Sequence, residues 1–258
     1  MFVRTLSKSI FLLTSLVIIT CVIYPLALWF VGQTLFPFQA NGSIIYDSKN
    51  KPVGSKLIAQ PFTKDEYFQP RPSAASYDAS ASTSSALAAS NYALRDRVAR
   101  MIGPIAKYQN GQSVAPDILK WYRQDKFQGK PHIVLQWEAL HKKKLPTFTN
   151  NDVPAIFFEM WQQDHPDVQL QDIPGDFVTT SASGLDPDIS LQNAEYQLDR
   201  VAAKWASTLK RNPDDVRKEI EQILQENTAS PFGGLAGEKF VNVLEVNLEL
   251  NKHYGSSS

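Results

Sequence analysis

The sequence predicts an α/β (more closely α+β) extracytoplasmic domain, a small sheet with flanking helices, set behind one N-terminal transmembrane helix. Three observations predict it. Residues 10–31, "IFLLTSLVIITCVIYPLALWFV", carry no charge. The C-terminal third holds two capped patterns of helical period. Last, "LEVNLELN" (244–251) alternates apolar and polar residues, the period of a half-buried strand.

The apolar run comes first. At about 1.5 Å per residue it spans roughly 33 Å, enough to cross a hydrocarbon core of about 30 Å. Arg4 and Lys8 precede it and the next charge is Asp47. The positive-inside bias therefore places residues 1–9 in the cytoplasm, residues 10–31 in the membrane and the remainder outside. Tyr24 and Trp29 fall towards the outer end, where amphipathic rings favour the interface. Pro25 removes one backbone donor, a defect that membrane helices tolerate when neighbouring groups compensate. The rival reading is a cleaved signal peptide; the run exceeds the usual h-region and no A-x-A site follows. Cys21, the sole cysteine, excludes an intrachain disulfide.

Beyond the anchor, residues 43–47 and 53–60 read as two short β-runs around the turn-rich "SKNKP". "YFQPRPSAASYDASASTSSALAASN" (67–91) is rich in Pro, Ser and Ala and reads as loop or linker. Arg71 stands there between two prolines, on a stiff extended backbone, as a surface ion pair or a fixed partner contact. Asn91 caps "YALRDRVARMIGPIAKY", with Leu94, Val98, Met101 and Ile102 on one side.

Residues 107–172 read as an insertion or subdomain with its own apolar cluster. They hold Trp121, Trp137 and Trp161, and helical patterns around "PDILKWYR" and "VPAIFFEMW". After it, Ser190 caps a helix whose Leu191, Ala194, Leu198, Val201 or Ala202, Trp205 and Leu209 repeat with helical spacing. Asn212 caps the next, with Pro213 at its first position and Val216, Ile220, Ile223 and Leu224 inward. "SPFGGLAGEK" is a glycine-rich break, and 253–258 a frayed tail.

The formal net charge is zero, which gives no electrostatic reason to expect nucleic acid as a partner. "GGLAGEK" lacks the spacing and the Ser/Thr of a phosphate-binding P-loop, and no G-x-S-x-G elbow, C-x-x-C or H-E-x-x-H occurs. The spacings of His132, His141 and His165 match no metal scheme, so they read as surface or packing histidines. "HKKKLP" (141–146) is a solvated basic run.

The stretch richest in polar chemistry is "TSASGLDPDIS" (180–190). Ser181, Ser183 and the backbone at Gly184 offer donors suited to an anion. Asp186 and Asp188 oppose a phosphate there unless a cation intervenes. Asp188 and Ser190 also suit the start of the following helix, where carboxylates and hydroxyls satisfy free N–H groups. The residues themselves favour a structured helix start over an active site.

Taken in order, "YPLALWFVGQTLFPFQANGSII", "GSKLIAQPF", "YFQPRPSAASYDASAS", "DFVTTSASGLDPDIS" and "VNVLEVNLELN" resemble the C subunit of the Kdp-type potassium-transporting ATPase, the KdpC family. The resemblance covers roughly 10–105 and 173–252, and assigns 36–106 with 173–252 to a KdpC-like soluble domain. Two departures stand out. "STSSAL" (82–87) lacks the glycines and asparagine of a Ser-Gly-Gly-Ser-Asn-Leu segment common in relatives, and Asp188 replaces their frequent His or Asn. Residues 107–172 have no counterpart in the shorter members.

The resemblance implies a non-catalytic accessory subunit in the cell inner membrane. Its partners would be membrane lipid, a channel-like potassium-binding subunit and an ATP-hydrolysing subunit. The implied role is a catalytic chaperone that raises ATP affinity, with ATP bound through the complex and potassium as the transported ion. It makes Ser181, Ser183, Gly184 and Asp186 candidate nucleotide or partner contacts. Two rivals stay open: a membrane-anchored hydrolase using Ser183, Asp186 and a distant histidine, and a sensing module whose 107–172 segment recruits another partner.

Overall fold

The computed structural model describes residues 2–47, 50–85, 87–88, 90–124, 132–145, 147–235 and 237–255. The chain divides into two compact units, Met1–Ile58 and Ala59–Ser258.

The first unit is dominated by one long helix. Helix α1 (Phe2–Ile18) runs through a π-turn (Ile19–Ile23) into α2 (Tyr24–Leu35). Pro25 accounts for the π-turn: its ring crowds the carbonyl one turn back and it lacks an N–H. The Tyr24 N–H instead reaches the Ile19 carbonyl, five residues back. Ser15 and Thr20 donate to the carbonyls of Phe11 and Leu16, each at 2.8 Å, so their hydroxyls ask nothing of lipid. Arg4–Leu35 is long and apolar enough to cross a membrane, consistent with a single-pass anchor. A short turn, α3 (Pro37–Ala40), leads to the expected hairpin. Its strands are β1 (Ile44–Tyr46) and β2 (Pro52–Ser55), antiparallel, with a shift at Ile45/Tyr46. The second strand is shorter than 53–60: Ser55 turns to bond the Gly42 carbonyl and the Leu57 amide, ending the ladder.

The second unit is mostly helical with a small antiparallel sheet. Its elements are α4 (Tyr92–Ile105), α5 (Ala115–Tyr122), α6 (His132–His141), α7 (Val153–Asp164), α8 (Gly175–Val178), β3 (Asp188–Ser190), α9 (Leu191–Leu209), α10 (Pro213–Glu226), β4 (Thr228–Ala229), β5 (Phe240–Asn242) and α11 (Val243–Tyr254). The sheet order is β3-β5-β4, with Ile189 opposite Val241 and Thr228 opposite Val241 on the other side.

The expected caps are present. The side chains of Asn91, Ser190 and Asn212 accept from the Ala93, Asn193 and Asp214 amides. Helix α4 stops at Ile105, three residues short of the expectation, one residue past Pro104. At Gly103 it crosses α7 so closely that any Cβ would strike the Pro154 carbonyl.

One expected strand is a helix. Residues 244–251 lie within α11, whose buried side chains are Val243, Leu244, Val246, Asn247, Leu250 and Tyr254. Those positions follow helical spacing once Asn247 is counted as inward-facing; alternation arises only if Asn247 is taken as solvent-facing. Asn242 caps the helix by accepting from the Glu245 amide.

Two apolar cores result. The first joins Phe68 and the sheet to α9, α10 and α11, through Ile189, Leu198, Val201, Ile220, Leu224, Val246 and Leu250. The second is aromatic: Trp121, Trp137, Phe157, Phe158 and Trp161 with Val114, Ile118 and Ile156.

Candidate functional site

The loop over 180–186 is placed by an unusual device. The segment before it makes a turn at 64–67 and then, over 68–73, carries no helix or strand of its own as it passes α9 and α11. Side-chain amides supply the missing ladder. Asn247 accepts from the Phe68 amide and donates to its carbonyl, each at 2.9 Å. Gln197 does the same for Gln69, at 2.8 and 3.0 Å. Arg200 donates to the Asp65 and Tyr67 carbonyls, and the Trp205 indole to the Glu66 carbonyl. Phe68 and Asn247 are 0% and 1% exposed, so these bonds satisfy groups that water cannot reach.

Held this way, the segment delivers Arg71. Its guanidinium donates to Asp186 Oδ2 at 3.1 Å and to the Thr180 carbonyl at 3.5 Å. Ser73 donates to the Gly184 carbonyl and accepts from the Ala75 and Tyr77 amides. Tyr77 donates to the Arg71 carbonyl at 2.9 Å, and burial pushes its phenol pKa up, keeping it a donor. The first part of the stretch that composition marks as linker, 67–77, is thus a packed, hydrogen-bonded loop. Beyond it 78–84 is exposed and tied back by a bond from the Thr83 amide to the Ser183 carbonyl.

The predicted site residues divide. Ser181 is buried and accepts from the Gly184 amide at 3.0 Å. Ser183 accepts from the Leu185 amide at 3.1 Å. Gly184 has φ +72°, and a Cβ there would sit 2.9 Å from the Thr83 carbonyl and 3.0 Å from the Ala75 amide. These three shape the loop from within, and the amides of Gly184 and Leu185 are used inside it. Asp186 alone of the four lines the adjoining cleft.

That cleft measures about 550 Å³, lined by Arg71, Asp176, Asp186, Asp188, Glu238 and Lys239 among others. Carboxylates outnumber cations along it, so it favours positive charge. Three carboxylates have structural duties. Asp186 also accepts from the Asp188 amide, Asp188 accepts from Asn242 at 2.9 Å, and Asp176 accepts from the Ser190 amide and hydroxyl. Asp176, Asn247 and Gln197 are not singled out by the sequence, although the first two lie in stretches that carry the family resemblance. For Asn247 and Gln197 the further clue is a polar residue on an otherwise buried helix stripe.

The histidines lie elsewhere. His141 stacks on Trp137 and His165 on Trp161, with centroids 4.0 and 4.9 Å apart. Each ring nitrogen Nδ1 lies within hydrogen-bond distance of its own tryptophan's carbonyl, one turn back. The side chain of His132 lies outside the described residues. His253 faces Glu219. Among the described residues no three His, Cys, Asp or Glu side chains gather as a metal site. The hydrolase reading needs a histidine beside Ser183, and His141, His165 and His253 all face other groups.

The chain matches the family described as "KdpC: K+-transporting ATPase, c chain" over residues 6–120 and 150–252. It is similar to the potassium-transporting ATPase KdpC subunit of Bacillus cereus (strain G9842), 31% identical over 250 residues, 96% of each chain. The subunit of that name from Bacillus anthracis (strain CDC 684 / NRRL 3495) is 30% identical over the same length and coverage. That of Bacillus thuringiensis subsp. konkukian (strain 97-27) is 30% identical over 247 residues, 96% of this chain and 95% of its own. The family match leaves 121–149 uncovered, a narrower gap than 107–172. Helix α6 falls wholly inside that gap, while α7 falls outside it.

Proposed function

We infer the function from one premise: this chain belongs to the KdpC family, the c chain of K+-transporting ATPases. It is a non-catalytic KdpC subunit of the Kdp potassium-transporting ATPase complex. Its finer role is our proposal. The long apolar helix anchors it in the inner membrane, with the N-terminus cytoplasmic because Arg4 and Lys8 lie on that side and the next charge is Asp47. The second unit then faces away from cytoplasmic ATP. Residues 107–172 act as a subdomain of it, organised around the aromatic core.

In this arrangement the chain meets a channel-like potassium-binding subunit and couples to the ATP-hydrolysing subunit through it. Its effect on ATP affinity is a coupling free energy between distant sites. The observation that carries this reading is the self-sufficiency of the 180–186 loop. Its Gly184 and Leu185 amides already serve Ser181 and Ser183, which leaves little to cradle a phosphate. Asp186 is the contact residue, ion-paired to Arg71 at the edge of an acidic cleft that concentrates cations near the potassium path.

Two experiments test this. Removing the chain from the complex is expected to abolish high-affinity potassium uptake and potassium-stimulated ATP hydrolysis; intact activity would overturn the role. Asp186→Asn is expected to weaken assembly or potassium affinity while leaving nucleotide labelling of the isolated chain at background. Specific labelling of the wild-type chain, lost in the variant, would restore direct nucleotide contact.

A further inference from the structure

A second cavity, of about 270 Å³, lies where the aromatic region meets α9, and nothing in the subunit's established role uses it. Its walls include Ile105, Phe177 and Tyr196, and its cations are Lys107 and Arg200. Among the described residues lining it there is no carboxylate, the reverse of the cleft beside Asp186. The volume lies just under the roughly 300–1,000 Å³ of pockets for drug-sized ligands, which suits a smaller molecule.

The walls are tied together by named contacts. Tyr196 donates to the Ile105 carbonyl at 2.9 Å and packs edge-to-face on Phe177, centroids 5.8 Å apart. Lys107 Nζ stands 4.8 Å from the Tyr196 ring centroid and donates to the Tyr196 carbonyl at 3.1 Å. Its carboxylate, Asp199, is 3.5 Å away and already holds Arg217 at 2.9 Å. Arg200 spends its donors on carbonyl oxygens of Asp65, Tyr67 and Gln197. Its one carboxylate neighbour, the Asp65 side chain, is 67% exposed and 4.0 Å distant. Burial lowers the Arg200 pKa, and Asp65 only partly offsets that. Two cations therefore sit against an apolar, aromatic wall with their countercharge outside it.

We propose that this cavity binds a small organic anion with a flat apolar body, the simplest class being an aromatic carboxylate. The ring lies against Phe177 and Tyr196, and the carboxylate pairs with Lys107. The Arg200 charge adds longer-range attraction while its donors stay on the Asp65, Tyr67 and Gln197 oxygens. Since α4 and its following loop form one wall and α9 the other, such a ligand bridges the two apolar cores of the unit.

Equilibrium dialysis of the full chain in lipid nanodiscs against 2-naphthoate, with empty nanodiscs as blank, tests this. Saturable one-site binding is expected, with the neutral 2-naphthalenemethanol at least about tenfold weaker, the scale of one charge-assisted hydrogen bond. Lys107→Met should cut the preference for the acid several-fold, the Arg200 charge leaving a remainder. Ser113→Trp, at the exposed rim and paired across a β-bridge with Lys107, should block the acid by filling the cavity while keeping both cations, and decides the matter if Lys107→Met fails to fold. Absence of saturable binding, equal binding of acid and alcohol, or unchanged binding in Ser113→Trp would each overturn the proposal.

Discussion

The two apolar cores of the second unit are built on different principles. The core around α9 and α11 buries Asn193, Gln197 and Asn247 among aliphatic side chains. Two of those amides hold an extended backbone segment in place of a neighbouring strand. The core around α5 and α7 is closed by rings: Tyr122 stacks on Phe157 with centroids 5.0 Å apart, and Trp137 and Trp161 carry their histidines. The first core aims Arg71 at Asp186. The second mainly packs. A buried polar group is costly unless matched on every side, so where it is matched it fixes geometry that apolar contacts alone would leave free.

This contrast can be broken experimentally, and the largest expected effect falls on the aromatic side. Trp161 is 2% exposed, and Trp161→Ala should cost about 3–5 kcal/mol by leaving a cavity. Hydrogen exchange should rise in α5 and α7 while the Gly184 and Thr83 amides stay protected. Loss of protection at both would mean one cooperative core, not two.

Asn247→Leu comes next. It keeps the volume but strands the Phe68 N–H and C=O, an expected loss of about 2–4 kcal/mol by chemical denaturation. Here the Gly184 amide should lose protection first, since the segment carrying Arg71 and Ser73 is released. A variant as stable as wild type would show the amide ladder to be dispensable.

Gly184→Ala should cost about 1–3 kcal/mol, from the left-handed backbone and the approach to Thr83 and Ala75. Its effect should stay in the loop and appear as weaker assembly of the pump, with α5 and α7 unaltered.

Acid gives the smallest effect and separates the regions by chemistry. The amides of the first core do not titrate. In the second region Asp96 is 12% exposed and faces Arg100 at 3.2 Å, Lys143 at 2.9 Å and His141 at 3.6 Å. Burial pushes the Asp96 pKa up, but the Lys143 hydrogen bond and the Arg100 charge outweigh it and hold the carboxyl below its usual range. A depressed folded pKa gives stability that is present above the unfolded value, about 3.9, and lost as pH falls through the folded one. Exchange should therefore rise between α4 and α6 below about pH 4, while the side-chain amide bonds to Phe68 and Gln69, which involve no titrating group, stay protected. Asp96→Asn should remove that pH dependence.

Much of this was legible from residues alone wherever a signal was local. Caps at Asn91, Ser190 and Asn212, the proline at 213, and the inward set of α10 are written in short-range preferences and period. The hairpin and the membrane-length helix follow from turn chemistry and an uncharged run. Failure came where a polar residue faces inward. Asn247 made α11 look like a strand, and nothing marked Gln197 as the partner of a segment 128 residues earlier. Arg71 was conspicuous between its prolines, yet only its meeting with Asp186, 115 residues on, gave it a task.

What the sequence settled by itself, then, is the capped helices α4, α9 and α10, the hairpin, the membrane-length apolar helix and the family, because helix caps, periodicity and distinctive short motifs act over a few residues. What the tertiary structure decided is which polar groups are used up and which are left facing solvent. Folding spends the serines and glycine of the 180–186 loop on that loop's own backbone and turns Asp186 towards the cleft. That division depends on long-range hydrogen bonds, whose partners no local pattern encodes.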